Sequence, residues 1–440
     1  MDNKTALRGI RNFAIILTLM VVSATVGYDI GRKKIGVSIT PRQVPFVKIE
    51  NKYPPEKLDI SFNLFWDVWE RINQQYIDRD EINKQNLVYG AIKGMVSAVG
   101  DPYTVFLPPD DQQRSKEDLA GSFEGIGAQL GMKEGHIMVV APLKGMPAEI
   151  AGLLPGDYII EVEAEDTTGW TLPEAVNKIR GEGGTVVTLT IVREGENESL
   201  KIPITRGTIN VPSIETQLIA ADCSNSNSNG GDFCETKTVE DCANCAQIAI
   251  LQLSRFGGHT NSEWQEAVDQ IIGFREKAAV EKKNFKGMIL DLRNNPGGFL
   301  QSAVFISSEF IESGTVVQQK DASGAVEKYD VERAGRLLDI PVVVLINAGS
   351  ASASEIVAGA LRDHKRATLV GVKSFGKGSV QEAQELSENA GLHVTIAKWL
   401  TPNGDSINKN GIDPDVVIEY DRENPDLDEQ FAKALEVLVK

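Results

Sequence analysis

Residues 341–355 read Pro-Val-Val-Val-Leu-Ile-Asn-Ala-Gly-Ser-Ala-Ser-Ala-Ser-Glu, and this stretch decides the fold. Its apolar half predicts a buried strand, the Asn-Ala-Gly-Ser segment predicts a sharp turn, and a helix is predicted to begin near Ser354. Upstream, the apolar runs 249–253 and 287–292 flank an amphipathic helix pattern at 262–274. Strands that alternate with helices in this way predict an α/β core with buried strands.

The turn carries three candidate nucleophiles, Ser350, Ser352 and Ser354. A serine at a helix N-terminus lies where backbone N–H groups and the helix dipole favour a developing oxyanion. Serine is also a preferred N-cap residue, so a purely structural role competes with catalysis at each position.

A candidate base follows the turn on a glycine loop, because residues 375–381 read Phe-Gly-Lys-Gly-Ser-Val-Gln. Lys377 acts as a base only if burial lowers the pKa of its amine. Gln381 is a candidate to hold that amine by a hydrogen bond. The alternatives are an ordinary solvated lysine and a surface amide. Together, the serines and the lysine predict a Ser-Lys hydrolase, which needs no histidine.

The histidines offer a weaker base. His136, His259, His364 and His393 are scattered along the chain and form no cluster with metal-ligand spacing. A Ser-His hydrolase would use His364, but this residue is predicted at the far end of the helix that follows the serines. His393 is predicted to be a half-buried structural residue of a strand at 392–396.

Length and charge limit the class of protein. A chain of 440 residues predicts two or three domains, and a formal net charge of −17 argues against binding to the backbone of nucleic acids. Residues 13–28 lack charges and follow Lys4, Arg8 and Arg11. We interpret residues 1–34 as a signal anchor rather than a cleaved signal peptide, with the body exported and residues 35–56 as a linker.

The next two regions differ in pattern. Residues 57–116 have apolar positions at helical spacing, which predicts a helical region that mediates dimers or packs on the core. Residues 117–207 contain three β-branched strands and two short helix patterns. Their segments Gly125-Ile-Gly127, 145–157 and 180–193 resemble a PDZ domain. The resemblance implies that Gly125, Ile126 and Gly127 offer N–H groups to a peptide C-terminal carboxylate, beside which the peptide adds as a strand.

All four cysteines, Cys223, Cys234, Cys242 and Cys245, lie within a window rich in serine, asparagine and glycine. In an exported protein, disulfides that staple this loop are the first interpretation. A four-cysteine zinc site is the alternative, because Cys242 and Cys245 have ligand spacing. A redox role is the third.

Residues 61–420 as a whole resemble the C-terminal processing peptidases, also called tail-specific proteases. Besides the PDZ pattern, the matching motifs are Gly100-Asp-Pro-Tyr-Thr-Val-Phe-Leu-Pro108, Asp291-Leu-Arg-Asn-Asn-Pro-Gly-Gly298, the segments 349–355 and 374–381, Thr401-Pro-Asn-Gly404 and Gly411-Ile-Asp-Pro-Asp-Val416. They occur in the order typical of the family. The departure is the cysteine-rich insert at 221–246, whose role the resemblance does not give.

The resemblance implies roles for individual residues. Ser352 would be the nucleophile, Lys377 the base and Gln381 its support. The N–H groups of Ala353 and Gly297, with Gly298 as the alternative to Gly297, would form the oxyanion hole. Arg180 is a weaker candidate for coupling peptide capture to the active site. No metal or other cofactor is implied.

The predicted architecture is therefore a multi-domain α/β protein with a membrane anchor, a helical segment and an inserted PDZ-like domain. The protease core, of the ClpP/crotonase-like class, spans 208–420, and a helical tail spans 421–440. The predicted activity is that of an extracytoplasmic serine endopeptidase that captures proteins with apolar C-termini and could form a dimer. The rival is an inert PDZ scaffold at the membrane, against which the intact Ser352, Lys377 and Gln381 set argues.

Overall fold

The computed structural model describes residues 61–196, 198–223, 234–242, 245–419 and 428–440. The signal anchor and linker predicted at 1–34 and 35–56 lie outside the described residues. Among the helices that are described, none combines the length and the apolar character needed to cross a membrane. The chain forms two compact units, residues 1–82 and 83–440, which are described separately.

The described part of the first unit is one α-helix and one 3₁₀ turn. Helix α1 (Asn63–Gln75) is followed by the 3₁₀ helix Arg79–Glu81. The helix contains no buried residue, and its aromatic rings contact one another, Phe65 stacking on Trp69 with 6.3 Å between centroids. The helical spacing read from the sequence is confirmed here.

The second unit opens with α2 (Lys84–Ser97), strand β1 (Val105–Leu107) and α3 (Pro109–Ala120). Asn83 caps α2 by accepting hydrogen bonds from the N–H groups of Gln85 and Asn86, which satisfies two otherwise unpaired donors. Val96 of α2 packs on Phe106 of β1. This packing fixes the turn that connects the two elements.

The PDZ-like domain is a small sheet with two helices. Its elements are β2 (Ser122–Gly125), β3 (Ala128–Lys133), β4 (His136–Pro142), α4 (Pro147–Ile150), β5 (Tyr158–Val162), β6 (Glu165–Asp166), α5 (Leu172–Ile179), β7 (Val186–Val192), β8 (Leu200–Thr205) and β9 (Gly207–Asn210). The sheet order is β3-β4-β5-β7-β8, with β6 on β5, so β3 is an edge strand. The pair β2–β9 joins the domain to the rest of the unit.

Local chemistry explains these elements. In β7, Val187, Leu189 and Ile191 alternate inward and are fully buried, as expected for a strand with one face on a core. Helix α5 begins with a capping box, in which the Thr171 N–H donates to Glu174 at 2.7 Å.

The predicted core region is built on a seven-stranded sheet. Its strands are β10 (Ile214–Asp222), β11 (Glu235–Lys237), β12 (Ala246–Leu253), β13 (Asn284–Asp291), β16 (Val342–Ile346), β17 (Ala367–Gly371) and β20 (Val416–Val417). The order is β11-β10-β12-β13-β16-β17-β20. The five strands from β12 to β20 are parallel, which confirms the predicted α/β core.

Helices cover both faces of this sheet. One core contains side chains of α6 (Thr260–Val280), α7 (Leu300–Ser307) and α8 (Ala353–Asp363), and the other contains side chains of α9 (Glu429–Val439). Every residue of β16 is buried, because the strand lies in the middle of a sheet covered on both sides.

A second sheet lies beside the core and carries part of the site. Its strands are β14 (Thr315–Asp321), β15 (Val326–Asp330), β18 (Ser379–Glu385) and β19 (Gly391–Leu400), and its order is β1-β19-β14-β15 with β18 also on β19. A 3₁₀ helix, Ser387–Asn389, connects β18 to β19. His393 of β19 pairs with both Val105 of β1 and Ala383 of β18. Strand β19 therefore brings the turn before β1 close to the loop after Phe375.

Candidate active site

Ser352 lies where β16 has turned into α8, at the N-cap position of the helix. Its φ of 57° and ψ of −115° place a non-glycine residue in a left-handed backbone region. Such strain persists only where the surroundings enforce it, and it occurs frequently at active sites.

The three serines of the turn have different environments. The Ser350 hydroxyl donates to the carbonyl of Leu292 at 2.8 Å, and the Ser354 hydroxyl donates to Ala351 at 2.7 Å. Both serines are fully buried and brace the turn. Ser352, in contrast, lines an open cleft of about 970 Å³. The structure thus separates two structural serines from one that a substrate can reach.

Glu355, in the first turn of α8, joins the serine turn to the lysine loop. Its Oε2 accepts the N–H of Ser352 at 2.7 Å and the N–H of Lys377 at 3.0 Å. Its Oε1 accepts the Ser374 hydroxyl at 2.6 Å and the N–H of Gly376 at 2.7 Å. Burial raises the pKa of this carboxyl, while the four hydrogen bonds oppose that rise.

Sequence reasoning assigned no role to Glu355. The signal was present, because serine followed by glutamate three residues later is the pattern of a capping box. That pattern predicts the bond to the Ser352 N–H. It does not predict the bonds to the loop at 374–377, which depend on the tertiary fold.

Lys377 lines the same cleft as Ser352. Burial lowers the pKa of its amine, and the nearby Glu355 carboxylate works in the opposite direction. The Nζ atom lies 5.2 Å from the centroid of the Tyr103 ring. His393 lines the cleft too, and burial together with Lys377 lowers the pKa of its imidazole. A lysine in this setting is neutral more often than a solvated one.

Gln381 is in the cleft but is not bound to the lysine in this structure. Its Nε2 donates to the hydroxyl of Ser379 at 2.6 Å and to the hydroxyl of Thr395 at 3.3 Å. These bonds hold the amide against β19 and leave its oxygen available to accept a hydrogen bond.

The segment 295–298 lies directly beside the turn that carries Ser352. A Cβ atom placed on Gly297 would be 2.7 Å from the Ser352 Cβ and 2.9 Å from the Ala353 nitrogen, so only glycine fits. The N–H of Gly297 donates to Asn295 Oδ1 at 2.8 Å in this structure. A Cβ on Gly298 would lie 2.1 Å from the carbonyl oxygen of Phe256. Both glycines therefore permit close backbone packing beside Ser352.

The rest of the cleft is mixed in character. Its apolar lining includes Phe256, Leu300, Ile356, Val380 and Trp399. Its charged lining, besides Lys377, is Asp111, Arg114, Asp118 and Arg255. A mainly apolar lining with a few charged groups is typical of binding clefts.

The Gly125–Gly127 loop leads into the open edge of the PDZ-like sheet. The carbonyls of Ile126 and Gly127 accept from Ala148 at 2.7 Å and from Leu143 at 2.8 Å, which fixes the loop. Gly127 has a φ of 69°, and a Cβ there would lie 2.5 Å from Met146 Cβ. Edge strand β3 follows at Ala128, so unpaired backbone groups are available next to the loop.

Arg180 stands between this loop and α3. Its stem lies beside Gly125, where an added Cβ atom would be 3.7 Å from the Arg180 Cγ. Its guanidinium lies 4.3 Å from the Phe123 ring centroid. It also pairs with Glu117 of α3 at 3.4 Å.

Helix α3 continues this connection toward the cleft. The N–H of Gly258 donates to Leu119 of α3 at 3.0 Å. Two residues earlier, the N–H of Phe256 donates to Gly297 at 2.9 Å. A continuous set of contacts therefore joins the PDZ-like loop to the segment beside Ser352.

The remaining candidates lie elsewhere. His364 caps the far end of α8, and its Nε2 is 2.8 Å from the Thr315 carbonyl, away from the serine. Cys223 is bonded to Cys234, and Cys242 to Cys245. Asp222 is close to the second pair, but the paired sulfurs leave no thiolate there for zinc.

Comparison with known proteins gives three family matches. Residues 247–418 match the model of peptidase family S41, residues 138–193 that of the PDZ domain, and residues 46–111 that of the activating protease CtpB N-terminal domain.

Two curated relatives and one solved structure cover most of this chain. A carboxy-terminal-processing protease of Bartonella bacilliformis is 36% identical over 81% of this chain and 74% of its own. The carboxy-terminal processing protease CtpA of Bacillus subtilis is 36% identical over 82% of this chain and 70% of its own. Among solved structures, the photosystem II D1 C-terminal processing protease is 26% identical, with a TM-score of 0.45, over 81% of this chain and 92% of that one.

Proposed function

Because the chain belongs to the carboxy-terminal processing proteases of peptidase family S41, which are serine peptidases, we propose that Ser352 is its nucleophile and Lys377 its base. The observation that carries this proposal is a pair of hydrogen bonds, in which Glu355 Oε2 accepts the N–H groups of both residues. A single carboxylate thereby fixes the backbone of the nucleophile and of the base in one cleft.

The mechanism follows from these groups. The neutral amine of Lys377 takes the proton of the Ser352 hydroxyl as its oxygen attacks the peptide carbonyl. The Lys377 ammonium then gives that proton to the leaving amine. Water then attacks the acyl-enzyme while Lys377 takes one of its protons. The Lys377 ammonium returns that proton to the Ser352 oxygen as the bond from this oxygen to the acyl group breaks, and the product leaves with a new carboxylate. Gln381 supports the amine through its amide oxygen.

The oxyanion formed in each step needs two donors. We assign them to the N–H of Ala353, at the positive end of α8, and to the Gly297–Gly298 segment. The Gly297 N–H must first leave Asn295 Oδ1, to which it donates here. If that bond persists with substrate, Gly298 is the second donor.

The substrate is proposed to be a protein with an apolar C-terminal tail. The tail carboxylate would bind the Gly125–Gly127 loop, and the tail would extend edge strand β3 by backbone hydrogen bonds. Binding of the tail would be transmitted to the cleft through the contacts of Arg180 with α3. A signal anchor at 1–34 and an exported body remain proposals based on the sequence. The inert scaffold is disfavoured, because the chain is a serine peptidase by family.

One experiment tests the catalytic pair. The full-length chain is incubated with a reporter protein that ends in an apolar tail, and with the same reporter ending in two aspartates. We expect cleavage of the first reporter, and a loss of activity on the order of 10⁴-fold or more in Ser352→Ala and in Lys377→Ala. Cleavage by Ser352→Ala at the wild-type rate would refute the mechanism.

A further inference from the structure

The amine of Lys377 has an aromatic neighbour that no catalytic role explains. Its Nζ lies 5.2 Å from the ring centroid of Tyr103. Within the described ranges, this amine forms no hydrogen bond and no ion pair. A half-buried cation without a polar partner is stabilised by the electron-rich face of an aromatic ring.

The ring is held by a rigid turn. The Tyr103 N–H donates to Asp101 Oδ1 at 3.2 Å, and the Thr104 hydroxyl donates to Asp101 Oδ2 at 2.6 Å. Although burial works against it, hydrogen bonds from Thr104, Thr395 and the local backbone keep the pKa of Asp101 below its usual range. The carboxylate therefore stays ionised and braces the turn.

The same turn is tied to the proposed catalytic residues. The N–H of Thr395 donates to Thr104 at 3.1 Å, and the Thr395 hydroxyl accepts from Gln381 at 3.3 Å. The pairing of β1 with β19 keeps this contact in register. The Tyr103 ring is thus positioned by the strand that also positions Gln381.

We propose that Tyr103 is a positioning residue, whose ring face holds the amine of Lys377 inside the cleft that Ser352 lines. The proposal rests on the function proposed above, in which Lys377 is the base. Between turnovers the ring stabilises the ammonium form. The amine leaves the ring for the Ser352 hydroxyl when substrate is bound.

The pH dependence follows from the charges around Lys377. Burial favours the neutral amine, whereas Glu355 and the Tyr103 ring favour the ammonium. His393 on β19 also faces this amine, and burial together with the Lys377 charge lowers the pKa of its imidazole. Asp101 braces the turn, and the charged residues that line the same cleft are Asp111, Arg114, Asp118 and Arg255. Removing the ring removes one stabilising contact from the ammonium, so the pKa of Lys377 falls.

The test measures kcat/KM against pH with the apolar-tailed reporter, because its acid limb reports the base of the free enzyme. We expect Tyr103→Leu and Tyr103→Met to move the acid limb to lower pH by about one pH unit. Tyr103→Phe keeps the ring and should keep the wild-type limb. Tyr329→Leu removes a tyrosine of β15 and is the matched control, with no shift. Thermal melting of each variant identifies any that do not fold.

The outcomes separate the two proposals. An acid limb that stays in place in both folded non-aromatic variants, or that moves equally in Tyr103→Phe, overturns the role of Tyr103. Lys377→Ala is measured in parallel. Full activity in Lys377→Ala would instead overturn the proposed base, whatever the tyrosine variants do.

Discussion

Glu355 shows at the scale of one residue how the fold assembles the candidate site. It is fully buried, yet each of its oxygens accepts two hydrogen bonds. A buried carboxylate is tolerated when donors surround it, and here the donors belong to the two loops that must meet. In the proposed mechanism, the residue acts through the backbone of Ser352 and Lys377 and does not contact the substrate.

Replacing Glu355 by glutamine should therefore impair catalysis more than substrate binding. The amide nitrogen would face N–H groups that need an acceptor, so one loop must shift. We expect kcat to fall about 100-fold, which a displacement near 1 Å can cause, with a smaller change in KM. Steady-state kinetics with the apolar-tailed reporter measure both.

The matched control for this variant is Glu309→Gln. Glu309 is also fully buried and accepts from Arg333 and from the N–H of Arg336, but it does not line the cleft. The substitution Glu309→Gln should lower the melting temperature and leave kcat unchanged. Equal losses of kcat in both variants would show that Glu355 contributes only stability.

The sequence predicted part of this residue-scale arrangement. A hydroxyl-rich turn before an apolar helix, followed by a glycine-flanked lysine, singles out Ser352 and Lys377 as candidates. It does not show that Gln381 is bonded to Ser379 and Thr395, or that Tyr103 faces the lysine. Those contacts depend on strand pairing between distant parts of the chain.

At the scale of elements, α3 connects the proposed tail-binding loop with the proposed catalytic cleft. It contacts Arg180 through Glu117 and the loop beside the glycine segment through Leu119. Both contacts lie in the last turn of the helix, so a shift of that turn would be transmitted to both partners. A measurement of the coupling free energy between tail binding and hydrolysis tests whether this contact connects the two sites.

Breaking the pair Arg180–Glu117 should uncouple tail binding from hydrolysis. A short reporter without a tail is cleaved in the presence of a separate apolar tail peptide. We expect the peptide to stimulate the wild-type enzyme and to stimulate Arg180→Ala and Glu117→Ala several-fold less, a loss within the usual range of coupling free energies.

The tail peptide should still bind each variant, which fluorescence anisotropy measures. Lys178→Ala is the control, because Lys178 pairs with Glu165 on the surface of the same domain. Unchanged stimulation in both Arg180→Ala and Glu117→Ala would remove Arg180 from the proposed coupling.

Sequence patterns predicted elements best where periodicity was clear. Two of the three β-branched strands predicted within residues 117–207 form at Tyr158–Val162 and Val186–Val192. The helix predicted at 262–274 spans Thr260–Val280 in the structure. The pattern did not predict its last turns, because they carry a polar surface and bury only Ala278. Strand β15 has no buried residue, so it lacks the apolar alternation that predicts a strand.

At the scale of the whole molecule, the cysteine-rich insert is attached to the edge of the main sheet. Strand β11 pairs with β10 at that edge, and Cys223–Cys234 joins the two. The second pair, Cys242–Cys245, precedes the parallel strand β12. These cysteines are outside the cleft lining, so their bonds should support the fold more than the chemistry.

Removing the disulfides should destabilise the protein unequally. The cysteines are separated by 11 residues in the first pair and by 3 in the second. In the chain-entropy view, the longer loop contributes about 3 kcal/mol to the free energy of unfolding and the shorter about 1.5 kcal/mol. We expect Cys223→Ser with Cys234→Ser to lower Tm more than the other double variant, with kcat kept in both. The reverse order of Tm would contradict this view.

The order of motifs along the chain was the main source of the whole-molecule prediction. It indicated an α/β peptidase with a PDZ domain, which the family matches confirm. The pairing of β1 with β19 could not be predicted, because a strand of three residues is too short to show an alternating apolar pattern. The membrane anchor lies outside the described residues and stays a prediction.

The open edge of β3 has a consequence for the choice of substrates. A strand edge forms hydrogen bonds with backbone groups, which every polypeptide has. It can pair only with a segment whose own backbone groups are not already used in a folded structure. Of two proteins with the same last residues, the one that packs its C-terminus into its own core would then not be cleaved, and the other would be. The enzyme would in effect measure the local stability of a chain end, and loosening that end would mark a protein for cutting without any change in its sequence.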